Sequence, residues 1–326
     1  IFILRPNIGS QSSKFRELLK SGDLSPDIVF NIGKLQIGNQ ITEQEFCELL
    51  DILSERRTGY HAAIQILEIK SCEFQNKSEQ LPHLLLEKGR DLLLEANSPG
   101  LINWRDPIVD LSLSTMLASI PESYLSNDGI VKLLKELFSG ELGEVFCWDY
   151  HPAINQELAK RYPSEFLDTI FERIGDIDPR SNIYLWNKLD TVGMIIQNVN
   201  SDEIITWMKV NLGTRAPFLS RYVRLVEEDR ESGIMKWTKF GNVFLSLTTD
   251  IPTVLENIMV RMHPRSWFGN LSLLLRKYLP LFDDPSIGNE PDLRSWGNQA
   301  KAQWLRRIEL EEREESRDQQ IELPFE

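Results

Sequence analysis

Three cysteines, Cys47, Cys72 and Cys147, are all the thiol this chain has. They are too few and too scattered for a disulfide framework or an all-cysteine zinc site, and a reducing compartment suits them. The four histidines, His61, His83, His151 and His263, stand far apart. None lies at the i, i+4 spacing that aims two imidazoles from one helix face at a metal. No apolar run approaches the roughly 20 residues that cross a bilayer, and Ile1-Phe2-Ile3-Leu4-Arg5 lacks the basic flank and length of a signal peptide. No membrane insertion is expected, and the cytoplasm is the expected location. Basic residues are in deficit, 36 against 49 acidic, and the net charge of −13 disfavours the phosphate-neutralising surface that nucleic-acid binding needs.

What the chain does have is ordinary for a folded protein. With 41% hydrophobic and 26% charged residues it can bury a core, and wholesale disorder is excluded. Ile1 stands where a methionine would start a chain, which reads as the continuation of a longer polypeptide. At 326 residues, two compact domains or one elongated array are both in range.

Helical signals recur from Ser12 onward. Thr42-Glu43-Gln44-Glu45 is a capping box, followed by an apolar stripe of Phe46, Leu49, Leu50 and Leu53. The same pattern places helices at 61–74, 81–96, 107–120, 129–138, 153–159, 163–174, 183–199, 202–212, 217–227, 241–247, 251–262, 271–282 and 292–317. Ser201 before Asp202-Glu203 and Asp250 before Ile251-Pro252 read as helix starts. Strand signals are confined to Ile1-Phe2-Ile3-Leu4 and Ile28-Val29-Phe30, so any strand element is small and N-terminal. The expected fold is all-α: an irregular α-solenoid of paired antiparallel helices, like HEAT or tetratricopeptide arrays. No clean self-similar period is present, and a compact irregular helical bundle stays open as the alternative. Interruptions at 143–151 and 284–291 suggest a linking segment over 1–40, the end of a preceding domain, then helical blocks over 41–147 and 148–326.

Chemistry finds little footing. Gly9-Ser10-Gln11-Ser12-Ser13-Lys14 stands where a phosphate-binding loop would, but Ile8 and Ser13 occupy the glycine positions and Phe15 that of the magnesium-binding hydroxyl. Asp27 followed by Glu68-Ile69-Lys70 has the residue types of a metal-dependent nuclease, which needs both elements on adjacent strands so that carboxylates converge on one ion. Glu68 falls within a helical pattern instead. Cys147, Asp149 and His151 share one short loop, which can rarely aim nucleophile, base and orienting acid at one another. No Gly-x-Ser-x-Gly elbow seats a serine. No catalytic, cofactor-binding or metal-binding residue is assigned.

Eight tryptophans, at 104, 148, 186, 207, 237, 267, 296 and 304, read first as wedges between helices, and as anchors for a partner where exposed. Arg215-Ala216-Pro217-Phe218-Leu219-Ser220-Arg221-Tyr222 mixes arginine and aromatic residues. It suits either a partner-facing surface or a helix turn with its apolar side buried. Arg215, Phe218, Arg221, Tyr222 and Trp267 are the candidate partner-binding residues. The Glu309-to-Asp318 run, with Glu309 and Arg313 one turn apart, reads as a solvated terminal helix that caps an array.

Three stretches carry a resemblance: Arg215-Ala216-Pro217-Phe218-Leu219, Ser266-Trp267-Phe268-Gly269, and the Trp296 helix running into the Glu/Arg-rich end. Over 201–326 the chain resembles the C-terminal helical-repeat sensor region of bacterial antiphage STAND-type NTPases and related multidomain defence proteins. The resemblance implies a non-enzymatic segment that binds a phage protein or another subunit, or that mediates oligomeric assembly. It carries over no effector residue. The competing expectation is a divergent metal-dependent nuclease or other effector with its site in the N-terminal part, or a structural oligomerisation module.

Overall fold

A computed structural model describes residues 24–55, 57–95, 107–137, 152–177, 183–262, 269–283 and 291–322. The chain divides between Asp176 and Ile177 into two compact units. The interruption expected at 143–151 lies outside the described residues, as does that at 284–291 except for Pro291, which opens a helix.

The first unit is built from helices Pro26–Gly33 (α1), Glu43–Ser54 (α2), Arg57–Asn76 (α3), His83–Glu95 (α4), Pro107–Ser119 (α5), Asn127–Leu137 (α6), Pro152–Arg161 (α7) and Pro163–Ile174 (α8). The strand expected at Ile28-Val29-Phe30 is instead the middle of α1. Pro26 occupies the first helical turn, where its missing N–H costs nothing. Val29, Ile32 and Gly33 then fall on one buried stripe of period three to four, against α3. Packing overrides the β-branched preference. The capping box at Thr42 forms as expected: the Glu45 amide donates to Thr42 Oγ1 at 3.2 Å and the Thr42 amide to Glu45 Oε2 at 2.9 Å.

Helices pack on the next but one. α1, α3, α5 and α7 lie side by side in one row, and α2, α4, α6 and α8 in another. The pairs α2–α3, α4–α5 and α7–α8 join the rows. Gly59 permits the turn between α2 and α3, because a Cβ there would lie 2.2 Å from the Leu53 carbonyl oxygen.

An isolated helix leaves its first amides and last carbonyls without partners, with partial positive charge at its start and negative charge at its end. Here a neighbouring helix often supplies the missing partner. Asp110 of α5 is buried, and its carboxylate accepts the Ala153 and Ile154 amides at the start of α7, both at 3.0 Å. Glu43 of α2 accepts the Leu84 amide at the start of α4 at 2.8 Å. At carbonyl ends the donors are cations or hydroxyls. Arg161 of α7 donates to the Leu117 and Ile120 oxygens closing α5, and Lys70 of α3 donates at 2.5 Å to Leu35 O just past α1. Tyr60 of α3 donates to Leu92 O of α4.

The second unit holds Ile183–Ile196 (α9), Ser201–Lys209 (α10), Leu212–Tyr222 (α11), Lys239–Leu247 (α12), Ile251–Met262 (α13), Leu271–Arg276 (α14) and Pro291–Glu322 (α15), with a 3-10 turn at Leu279–Asp283. α9, α11 and α13 pack in sequence, and α14 lies on α15. α13 has the bounds expected, and Asp250 caps it by accepting the Thr253 amide at 3.3 Å. The α10 cap is one residue earlier than expected: Asn200, whose side chain accepts the Asp202 amide.

Two sequence expectations are overturned here. The helix placed at 217–227 begins at Leu212 and ends at Tyr222, so Pro217 sits in its interior. Proline there removes an amide donor, and burial of Ala216, Phe218 and Leu219 outweighs that loss. After Tyr222 the chain turns extended into the antiparallel pair Val226–Glu228 (β1) and Met235–Trp237 (β2), in register Val226 to Trp237. Among the described residues this is the strand element, and it belongs to the second unit and not to the N-terminus; Ile1-Leu4 lies outside them. Asp229 closes the turn by accepting the Glu231 and Ser232 amides, with Gly233 at φ +68°.

Trp304 of α15 is buried against Tyr278 and Phe282, its indole donating to Leu275 O at the end of α14 at 2.8 Å. The charged run that follows is less solvated than expected. Glu315 accepts the Ser272 amide at 3.0 Å, capping α14, and Glu312 pairs with Arg276 at 2.5 Å. Apart from the ribbon, the described chain is all-α, and none of its helices is long and apolar enough to cross a membrane.

Asp110→Ala is expected to lower the unfolding free energy by about 1–2 kcal/mol in urea titrations followed by circular dichroism. Burial holds the Asp110 carboxyl above the usual carboxylate range, with the two amide bonds pulling it back. The fold therefore loses stability, relative to Asp110→Asn, as pH rises from the ordinary aspartate range through the raised value, and the difference is level above it. Trp304→Ala is expected to cost about 3–5 kcal/mol, and to accelerate amide hydrogen exchange in α14.

Candidate functional site

The stretch from Arg215 to Tyr222 lies in α11 and faces inward. Phe218 is 1% exposed and Tyr222 is not exposed at all. Phe218 meets Trp207 edge-on at 6.3 Å and Tyr222 at 5.2 Å. Neither ring has surface to offer a partner in this conformation, so their reading as surface anchors gives way to the buried-turn reading. Four residues apart in one helix, the two aromatics share a face, and in α11 that face is buried. Arg215 stacks over Trp207 at 4.1 Å and donates to Trp207 O at 2.7 Å, near the end of α10. Arg221 donates to Ile177 O at 3.2 Å. Arg215 thus fastens the end of α10, and Arg221 holds the chain at Ile177. Trp267 lies outside the described residues.

The tryptophans described in full behave as wedges: Trp207, Trp237 and Trp304 are buried, and Trp296 is half-buried against Phe282. The residues considered for a nuclease are on helices, Asp27 in α1 and Glu68 in α3. Glu68 accepts the Ser112 hydroxyl of α5 at 2.5 Å, and Lys70 is committed to Leu35 O and Glu73. These carboxylates therefore stand on helices and not on the adjacent strands that the nuclease arrangement needs. Among the described residues no three His, Cys, Asp or Glu side chains group as metal ligands. The phosphate-loop-like segment at 9–14 and the Cys147, Asp149, His151 set lie outside the described residues.

The extended segment beyond α11 opens a cleft of about 250 Å³ in the second unit. Its floor is apolar: Val223, Leu225 and Met235 from the segment entering and leaving the ribbon, with Ile258 and Met262 of α13. Its polar lining is Asp190 of α9, Ser220 of α11, whose hydroxyl donates to Pro217 O and accepts from the Asn257 amide, Arg224, Arg261 of α13 and Tyr278. Arg261 donates to Tyr222 O, closing the end of α11, and pairs with Asp190 at 3.2 Å. α9 reaches this point because residue 193 is glycine; a Cβ there would lie 2.2 Å from Tyr222 O. Arg224 is exposed and its Nε donates to Val226 O at 3.1 Å. Tyr278 stands on Trp304, and Lys277 beside it pairs with Glu228 at 2.6 Å. Burial raises the Tyr278 phenol above its ordinary range, and the positive charge of Arg224 opposes the rise.

Sequence reasoning stopped two residues short of Arg224, and Asp190, Arg261 and Tyr278 carried no local signal. Their spacing of tens of residues matches no motif; only the packing of α9, α11 and α13 assembles them.

Phe218→Ala is expected to act as a core deletion, costing about 3–5 kcal/mol, while Arg215→Ala costs about 1–2 kcal/mol through the lost stacking and backbone bond. Chemical denaturation of both variants checks this; a Phe218→Ala effect near zero would place the ring at the surface after all. In comparisons with known proteins, the chain matches no family model, no curated protein and no solved structure.

Proposed function

We propose that this chain is a non-enzymatic helical-repeat segment of a larger cytoplasmic bacterial defence protein, and that it binds another protein. The packing of alternate helices into rows supports the repeat reading, since stacked helix pairs are the unit of α-solenoids. The resemblance of 201–326 to antiphage sensor regions supplies the cellular setting.

The observation that carries the reading is the outer face of α5, where Ile108 and Leu111, one turn apart, are 55% and 57% exposed. Both are large apolar side chains on a rigid helix held between α3 and α7. Paired exposed apolar residues on a fixed scaffold suit a helix or loop of a partner protein.

The test uses the chain as bait in extracts of phage-infected and uninfected bacteria, beside Leu111→Glu of unchanged helical content. The expected result is at least one protein, enriched on infection, that the wild type retains and Leu111→Glu loses about tenfold or more, as expected for a central apolar contact. Equal retention of every protein by both baits would sink the reading. Concentration-dependent self-association abolished by the same substitution, measured by sedimentation velocity, would favour the oligomerisation module instead.

A further inference from the structure

We infer that the cleft beside α11 is a binding site for a carboxylate carried on a short apolar body. The inference is independent of the α5 surface. The floor of Val223, Leu225, Met235, Ile258 and Met262 offers no hydrogen-bonding side chain and suits an aliphatic or aromatic group. Above it stand two donors with capacity to spare. Among the described residues no protein group accepts from the terminal nitrogens of Arg224, whose Nε alone is used, or from the Tyr278 hydroxyl. The other charges at the cleft cancel in pairs, Arg261 with Asp190 and Lys277 with Glu228. Among the described residues that line the cleft, Arg224 is the charge left over, positive in a chain of net charge −13.

A guanidinium presents paired N–H donors in the fork geometry that fits a carboxylate, and a phenol can add a third bond. The cleft volume lies below the usual range for drug-sized ligands, so the occupant is small: a free acid of about six carbons, or the last residue of a polypeptide. Both sources share one chemistry, a terminal carboxylate next to an apolar group.

The experiment is a titration of the whole chain, labelled with ¹³C at its methionine methyls, with hexanoate and with acetyl-Gly-Gly-Leu, each beside its carboxamide. Met235 and Met262 line the cleft and report occupancy, while Met116 and Met208, buried elsewhere, serve as references. The expected result is a saturable shift of Met235 and Met262 with at least one acid, and binding about tenfold or more weaker for its uncharged amide. Arg224→Gln, at an exposed position, is expected to weaken the acid about tenfold and leave the amide unchanged. Tyr278→Phe, which keeps the ring on Trp304, is expected to weaken the acid by a smaller factor. Binding of the peptide alone assigns the site to a protein C-terminus, and binding of hexanoate to a free acid. The inference is overturned if neither acid shifts the two methyls, if acid and amide bind alike, or if Arg224→Gln binds the acid as the wild type does.

Discussion

The helices of this protein are finished by one another. A helix end surrounded by neighbours cannot leave its outer amides and carbonyls to water, and an unpaired buried group costs about 1–3 kcal/mol. The remedy at several ends is a side chain from a helix packed beside it. Carboxylates of Glu43, Asp110 and Glu315 stand at helix starts, and the cations Lys70, Arg161 and Arg261 at or just past helix ends. That is the distribution the helix dipole favours, achieved here between helices and not only within one. Many of the ties span similar distances in sequence: 44 residues from Arg161 to Leu117, 43 from Asp110 to Ala153, 39 from Arg261 to Tyr222 and 43 from Glu315 to Ser272.

This rule explains what was legible in the sequence and what was not. Helix existence was legible almost throughout, because an apolar stripe of period 3.6 and a local cap such as Thr42 or Asp250 are written within a dozen residues. The spacing of about 40 residues between many of the tied groups was not legible. It is carried by whichever residue reaches the neighbouring helix end, an aspartate at one step and an arginine at another, so no residue type recurs at a fixed period. The ribbon at 226–237 is hidden in the sequence because Pro217 reads as a helix start, which places the helix about one and a half turns too far along the chain. Ile28-Val29-Phe30 misled in the opposite sense, its local preference losing to burial of Val29 and Ile32 against α3.

The candidate site follows from the same geometry. Where α11 ends, Arg261 closes its last carbonyl and Gly193 lets α9 come close. The chain leaves that junction extended, and an extended segment crossing packed helices does not fill the space beneath it. The cleft is what remains, floored by residues that would otherwise be core. Of the stretch from Arg215 to Tyr222, conspicuous in the sequence for its aromatic and basic residues, Ser220 alone lines the cleft. Arg224, just past them, carries the uncompensated charge. Composition marked the neighbourhood and packing chose the residue.

The distance between a helix end and the side chain that finishes it also sets an order of events during synthesis. The last carbonyls of α5 receive their arginine only when Arg161 has been added, 41 to 44 residues later. At about 5–20 residues per second, translation takes roughly 2–9 seconds to deliver it. For that interval the growing chain carries a helix whose newest end is open, while the ends behind it already have the helices that close them. Such a chain matures as a moving front, with one unfinished helix pair always at its leading edge, and the exposed end at the front is where a chaperone would find it.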